Sequence, residues 1–147
     1  MSSNRTEASS SLRFDRLAVA DVMTMDPITV AVDARVEDAE QLLARYRISG
    51  LPVVDGDGQL VGVVSRTDLL LDGGPMMTQV LRGRVSGLRV GELMSTPAVT
   101  ASLTATLVEA ARIMRDQRVH RVVIVDEQDV PIGVLSATDF VTLIADG

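Results

Sequence analysis

The sequence predicts a mixed α/β (α+β) fold, in which one βαββα unit occurs twice and the two copies pack around a pseudo-twofold axis. The stretch "GVVSRTD" at 62–68 returns as "GVLSATD" at 133–139. The same shift aligns nearly everything from Val19 onward, so the chain is an internal repeat. Each copy, at roughly fifty residues, is too short to bury a good core by itself. We therefore expect one domain built from two repeats.

The first half of each copy predicts a strand followed by a helix. Residues 28–32 form a short run rich in β-branched side chains after a proline, and Asp33 is placed to cap the next helix. Apolar residues then recur at helical spacing, which predicts a helix with one core-facing stripe. That stripe consists of Val36, Ala39, Leu42, Leu43 and Tyr46 in the first copy and of Leu107, Ala110, Ile113 and Met114 in the second.

The second half of each copy predicts two strands and a helix. "GLPVVD" and "QLVGVVS" are joined by the turn "GDG", and the second copy has "RVVIVD", "EQD" and "VPIGVLS" in the same places. Such pairs of β-rich runs around a short polar turn are typical of hairpins. A helix is expected to begin directly after Ser65 and after Ser136. Four regions follow: a flexible tail at 1–18, repeats at 19–71 and 89–147, and a glycine-rich linker at 72–88.

Composition narrows the classes of function. The 147 residues include no cysteine, which excludes disulfides and thiolate metal sites, and a net charge of -6 argues against a nucleic-acid surface. No apolar run approaches the roughly 20 residues that span a bilayer, so we expect no membrane partner and a cytoplasmic protein. All 14 basic residues are arginine, so a lysine-dependent P-loop is excluded.

The repeated Ser-x-x-Asp motif allows two interpretations. A serine followed three residues later by an acid is a common helix-capping device, in which the serine oxygen accepts a hydrogen bond from a backbone N–H and the acid interacts favourably with the positive end of the helix. Alternatively, the carboxylate accepts both hydroxyls of a cis-diol such as ribose, and nearby helix N–H groups meet phosphate. Gly62 and Gly133 favour the second interpretation, since glycine inside a strand indicates that another group, such as a ligand, approaches the backbone.

The pattern "GLPVVD…GQLVGVVSRTDLL" followed by "HRVVIVD…PIGVLSATDF" resembles a tandem pair of cystathionine beta-synthase (CBS) domains, a Bateman module, from about Val19 to Ile144. The resemblance implies two clefts between the copies that bind AMP, ADP, ATP or S-adenosylmethionine as regulatory ligand, with no catalytic cofactor. It implies that Asp68 and Asp139 hold the ribose. The neighbouring ligand-binding positions are Ser65, Thr67, Ser136 and Thr138.

The second copy is also similar to repeats of the gamma subunit of AMP-activated protein kinase, in which a His-Arg pair reaches nucleotide phosphates. His120 and Arg121 match that pair, although a ligand-free polar turn is an equal alternative for His120. The first copy departs from the pattern with Ser49 and Gly50, and Arg66 is its local cation. The adenine is expected near Thr29, Gly50, Thr100 and Val122.

Other motifs point to no reaction. "GDGQLVG" at 56–62 has dinucleotide-type glycine spacing but joins two strands, which favours a hairpin turn. A single histidine and the lack of a "GxSxG" frame disfavour a serine hydrolase. We therefore expect a non-enzymatic regulatory module that binds an adenosine-type ligand, forms a homodimer and signals to an unidentified protein partner. The alternatives are a ligand-free dimeric scaffold and, more distantly, a diverged nucleotide-using enzyme.

Overall fold

The computed structural model describes residues 16–69 and 88–146, which form two compact units. The N-terminal unit contains residues 27–69 and 88–98, and the C-terminal unit contains residues 16–26 and 99–146. Most of the predicted tail and nearly all of the predicted linker lie outside the described residues. The units do not coincide with the sequence repeats, because each repeat's leading segment belongs to the unit formed by the other repeat.

The elements follow the predicted order, with short additional elements at the start of each repeat. Along the chain they are a 3-10 helix (Val19–Asp21), β1 (Thr24–Met25), β2 (Val30–Ala31), α1 (Val36–Tyr46), β3 (Gly50–Val54), β4 (Leu60–Ser65), α2 (Arg66–Leu69), α3 (Val90–Leu93), β5 (Thr100–Ser102), α4 (Leu107–Gln117), β6 (Arg121–Val125), β7 (Pro131–Ser136) and α5 (Ala137–Asp146). The predicted succession of strand, helix, two strands and helix is confirmed in both copies.

Each unit is organised around one sheet. The N-terminal unit has strand order β2-β3-β4, with β2 parallel to β3 and β3 antiparallel to β4. The C-terminal unit repeats this arrangement as β5-β6-β7 and adds β1, which runs antiparallel to β7. The mixed α/β fold class is therefore confirmed.

The two long helices cover their sheets through one apolar stripe and end in the same way. The C-cap residues of the two helices, Arg47 and Arg118, adopt left-handed backbone conformations that end the helices. The predicted cap at Asp33 is wrong, because α1 begins at Val36 with Arg35 as its N-cap residue. Tyr46, the last residue of the predicted core stripe, is 47% exposed, because it ends the helix at the unit's surface.

Each unit has its own hydrophobic core, in agreement with the apolar stripes. The core of the N-terminal unit contains Val30, Val36, Ala39, Leu43, Leu51, Val53, Val64, Leu69 and Val90. The core of the C-terminal unit contains Val19, Ala101, Ala105, Leu107, Ala110, Met114, Val122, Ile124 and Leu135. Val19 and Val90 come from residues 16–26 and 88–98, the leading segments that join the unit formed by the other repeat. We call these the exchanged segments, and each is part of the core of the unit that it joins.

The close packing of the exchanged segments explains why β4 and β7 each contain a glycine, and no ligand is needed for the explanation. A Cβ built on Gly62 would lie 2.7 Å from Met94 Sδ and 2.9 Å from the Ser95 carbonyl oxygen. A Cβ on Gly133 would overlap Met23 Sδ and approach the Thr24 carbonyl oxygen. The repeated methionine thus packs on the repeated glycine within each unit. The expectation that these glycines admit a ligand is therefore wrong, because protein atoms already occupy the space.

The last three residues of the predicted tail, 16–18, are among the described residues and contact the C-terminal unit. The Leu17 carbonyl accepts a hydrogen bond from Leu107 N at 3.0 Å, and the Leu17 side chain packs against the core. Residues 16–18 therefore belong to the C-terminal unit. Within residues 16–69 and 88–146, no helix is both long and apolar enough to cross a bilayer.

Candidate functional site

Strand direction brings the predicted site residues of the C-terminal unit to one edge of its sheet. Because β5 and β6 are parallel, their first residues, Thr100 and Arg121, lie at the same edge. β7 runs the opposite way and ends there, with Ser136 directly opposite Arg121. The first turn of α5, which carries Asp139, follows immediately. We call this group the C-terminal Ser-Asp edge.

Asp139 at this edge makes a reciprocal helix cap. Its Oδ2 accepts hydrogen bonds from Ser136 N at 2.7 Å and from Ser136 Oγ at 3.1 Å. In return, Ser136 Oγ accepts from Asp139 N at 3.4 Å. The capping interpretation of the motif is therefore correct as far as Oδ2 is concerned. Oδ1 makes no hydrogen bond to any described residue, so half of the carboxylate remains available as an acceptor.

The N-terminal unit contains the same cap at its own edge, with one difference. Asp68 Oδ2 accepts from Ser65 N at 2.9 Å and from Ser65 Oγ at 3.0 Å. Asp68 Oδ1, however, accepts a hydrogen bond from Ser95 Oγ at 3.3 Å. Gly50, the first residue of β3, lies opposite Ser65, the last residue of β4. We call these two residues together with Asp68 the N-terminal Ser-Asp edge.

The backbone already uses some of the helix N–H groups that were expected to meet phosphate. The first N–H of α5, at Ala137, donates to the His120 carbonyl oxygen at 2.7 Å, and Arg66 N of α2 donates to the Ser49 carbonyl oxygen at 3.1 Å. His120 thus has a structural role through its backbone. Its side chain is exposed and makes no hydrogen bond to a described residue.

The predicted site residues divide cleanly between the two units. Thr29, Gly50, Ser65, Arg66, Thr67 and Asp68 lie in the N-terminal unit, and Thr100, His120, Arg121, Val122, Ser136, Thr138 and Asp139 lie in the C-terminal unit. Thr29 directly precedes β2 and Gly50 begins β3 opposite Ser65, so they share that unit's edge. Val122 differs from the rest, because its side chain is 1% exposed and belongs to the core. Only its backbone could face a base.

Sequence reasoning missed Ser95, which lies in the leading segment of the second repeat and bonds a residue of the first repeat's motif. No local pattern marks that contact. A groove of about 750 Å³ in the C-terminal unit was also not anticipated; it lies between β5, the side of α4 that carries Glu109 and Ile113, and the β6–β7 turn. In the parts of the chain that the structure describes, no cluster of three or more His, Cys, Asp or Glu residues could hold a metal ion.

The sheet topology and the serine cap both occur twice, once in each unit, and the comparison with known families also finds two repeats. The model of the CBS domain family matches residues 19–72 and 90–146, which is most of the chain. The chain belongs to the CBS domain family, and its two matches make it a tandem CBS pair.

Known proteins of the family extend this comparison. CBSX2 of Arabidopsis thaliana, solved in complex with AMP, is 33% identical with a TM-score of 0.74, and the match covers 88% of this chain and 97% of that one. The CBS pair of protein MJ0100, in complex with 5-methylthioadenosine and S-adenosyl-L-methionine, is 22% identical with a TM-score of 0.70 over 88% of this chain and 96% of that one, a likeness in fold.

A curated relative sets the chain in a wider context. Inosine-5'-monophosphate dehydrogenase of Aquifex aeolicus is 32% identical over 120 residues, which are 81% of this chain but 23% of the enzyme. The chain therefore spans less than a quarter of that relative's length. The similarity concerns the part that the chain matches and carries no information about the remaining three quarters of the enzyme.

Proposed function

We propose that this CBS pair is a regulatory module that binds an adenosine-containing ligand at its Ser-Asp edges. The observation that carries the proposal is the Asp139 carboxylate, which is fixed by the cap through Oδ2 and leaves Oδ1 as an acceptor at a partly buried sheet edge. A carboxylate oxygen carries two lone pairs, so it can accept both hydroxyls of a ribose. The structure of CBSX2 with AMP supports an adenosine ligand.

The charge distribution at the C-terminal edge suits a phosphorylated ligand. His120 directly precedes β6 and Arg121 is its first residue, and both side chains are exposed. Arginine and protonated histidine donate charge-assisted hydrogen bonds to phosphate oxygens. At the N-terminal edge the corresponding positions are Ser49 and Gly50, and Arg66, which follows Ser65, is the neighbouring cation. We therefore propose that AMP, ADP or ATP binds the C-terminal edge more tightly than the N-terminal edge.

Regulation requires that the ligand change the conformation of the module. A ligand shifts such an equilibrium only by its difference in affinity for the two states. We propose that binding alters the relative position of the two repeats and that a protein partner detects the change. The location of the ligand between the copies, the homodimer and the absence of catalysis are parts of the same proposal.

A thermal-shift panel tests ligand binding directly. The protein is unfolded and refolded to remove carried-over ligand, and is then mixed with AMP, ADP, ATP, NAD, NADH or S-adenosylmethionine. At a ligand concentration 100 times the dissociation constant, we expect about 2.7 kcal/mol of added stability. Asp139→Ala should remove most of the shift, because losing two hydrogen bonds to a charged group weakens binding by roughly a hundredfold or more.

The control for this experiment is Asp38→Ala, which removes a carboxylate from an equivalent capping position on α1. It should lower the melting temperature of the free protein without changing the shift caused by the ligand. If no nucleotide stabilises a well-folded protein, the ligand-free scaffold becomes the better interpretation. If ATP or NAD is turned over, the module is an enzyme and the non-enzymatic proposal is wrong.

A further inference from the structure

The two Ser-Asp edges differ in a contact that the sequence repeat does not predict. Ser95 Oγ donates to Asp68 Oδ1, whereas Asp139 Oδ1 has no hydrogen-bond partner among the described residues. The residue equivalent to Ser95 is Thr24, because Ser95 pairs with Val63 of β4 and Thr24 pairs with Val134 of β7. Two equivalent backbone positions therefore carry different side chains: Ser95 donates a hydrogen bond to the neighbouring carboxylate, and Thr24 does not.

The difference changes how many hydrogen bonds each aspartate can accept from a ligand. In both edges Oδ2 already accepts two hydrogen bonds from the capping serine. Each carboxylate oxygen has about two acceptor positions, so ligand binding depends on Oδ1. Asp139 Oδ1 can accept both hydroxyls of a vicinal diol. Asp68 Oδ1 shares its lone pairs with Ser95 and can accept one.

We infer that Ser95 is a specificity-determining residue, whose hydroxyl lowers the affinity of the N-terminal edge for a cis-diol and so makes the two edges of this module unequal. The inference rests on the proposed function, because it concerns the same ligand site. One hydrogen bond fewer to a charged group weakens binding by roughly tenfold to a hundredfold. The C-terminal edge is filled first, and the N-terminal edge responds only to higher ligand concentrations.

The backbone of Ser95 is held by hydrogen bonds, so the side chain can be substituted without moving the backbone. Ser95 and Val63 exchange two backbone hydrogen bonds, of 2.8 Å and 3.1 Å, which hold the residue beside the Asp68 edge. Substituting the side chain leaves both bonds in place. Ser95→Ala removes the hydroxyl, and Ser95→Thr keeps a hydroxyl but introduces the residue found at position 24, which makes no hydrogen bond to Asp139 in this structure.

The test is isothermal titration calorimetry of AMP with Asp139→Ala, alone and combined with Ser95→Ala or Ser95→Thr. Asp139→Ala restricts ribose binding to the N-terminal edge. We expect each double variant to bind AMP about tenfold more tightly than Asp139→Ala alone. Equal affinities of the single and double variants would overturn the inference while leaving the proposed function intact. A wild-type protein that binds no adenosine ligand would end both.

Deoxynucleotides give a second measurement at the same edge. The analogues are titrated into Asp139→Ala, with and without Ser95→Ala. With Ser95 present, Asp68 accepts one hydroxyl, so only one of 2′-deoxy-AMP and 3′-deoxy-AMP should bind more weakly than AMP. In the Ser95→Ala background both analogues should bind more weakly. If both already do so with Ser95 present, Ser95 does not occupy an acceptor position and the inference is wrong.

The removal of Asp139 also removes a helix cap, so the variant is checked by circular dichroism before titration. If α5 does not fold, Ser95→Ala in the otherwise unchanged chain replaces it. The weaker of two binding steps should then strengthen about tenfold, and Asp68→Ala should abolish that step. An unchanged weaker step would overturn the inference.

Discussion

At the residue scale, the backbone and the side chain of the single histidine, His120, are in separate environments. Its backbone carbonyl accepts a hydrogen bond from the first N–H of α5, while its side chain is exposed. Substitution of the side chain therefore leaves the structural hydrogen bond in place. This separation allows phosphate recognition to be tested without disturbing the fold.

We predict that His120→Ala lowers the affinity for AMP about tenfold, because a charge-assisted hydrogen bond to phosphate is lost, and leaves the affinity for adenosine unchanged. Calorimetric titrations with the two ligands measure the difference. Gln128→Ala, at the turn on the opposite end of the same sheet, is the control and should bind both ligands as the wild type does. Equal losses for adenosine and AMP would place His120 outside the phosphate site.

At the element scale, the exchanged segments pack against the strands so closely that Gly62 and Gly133 have no space for a side chain. At Gly62 the nearest backbone atom to a built Cβ is the Ser95 carbonyl oxygen, which is itself held in a hydrogen bond with Val63 N. That oxygen cannot move aside without breaking the pairing. A methyl group therefore has no space at this position.

We predict that Gly62→Ala lowers the free energy of unfolding by about 1–3 kcal/mol through overpacking. Urea unfolding followed by circular dichroism measures the change. Gly56→Ala is a matched control, because no atom lies within 4 Å of its built Cβ, and it should change stability by less than about 0.5 kcal/mol. If the two variants are equally stable, the methionine segment does not pack on β4 as described.

The two long helices differ in their N-terminal caps. Thr106 Oγ1 accepts a hydrogen bond from Glu109 N at 3.1 Å, whereas the equivalent Arg35 makes no side-chain cap on α1. The backbone angles of the two cap residues are nearly the same. The missing cap is therefore a matter of side-chain chemistry alone.

We predict that Thr106→Ala destabilises the protein by about 1 kcal/mol and that Arg35→Thr stabilises it by a similar or smaller amount, since threonine can cap where arginine does not. Thermal unfolding of both variants measures the two effects. A loss of stability on Arg35→Thr would show that the arginine side chain has a packing role that outweighs the cap.

An exposed apolar face on α5 bears on assembly at the scale of the whole molecule. Val141 and Ile144, one turn apart on this helix, are 64% and 65% exposed. No residue of α5 is buried, although the helix is mostly apolar. A second copy of the chain could cover this face and give the predicted homodimer.

We predict that the double variant Val141→Glu, Ile144→Glu is monomeric, because two charges would lose their hydration in an apolar interface. Size-exclusion chromatography with light scattering gives the mass of each species. Met25→Glu, which changes a side chain of equal exposure on β1, is the control and should remain a dimer. A dimeric double variant would exclude α5 as the interface.

The sequence by itself determined the repeat, the order of the elements and the position of the duplicated Ser-x-x-Asp motif at the start of a helix. These features follow from periodicity and short-range spacing, which remain visible in a single chain: the apolar stripes of α1 and α4, the hairpins around residues 55–59 and 126–130, and the position of Ser65 and Ser136 before their helices. The family resemblance added the expected ligand positions, since those too stand in register between the copies.

Only the tertiary structure decided which residues from distant parts of the chain meet. The leading segment of each repeat joins the other unit, so that Met23 packs on Gly133 and Ser95 reaches Asp68. Such contacts join residues with no common period or spacing, and therefore leave no pattern in one sequence. Which carboxylate oxygen of Asp68 and Asp139 remains available depends on those contacts, because a lone pair is free only where no neighbouring donor has been folded against it.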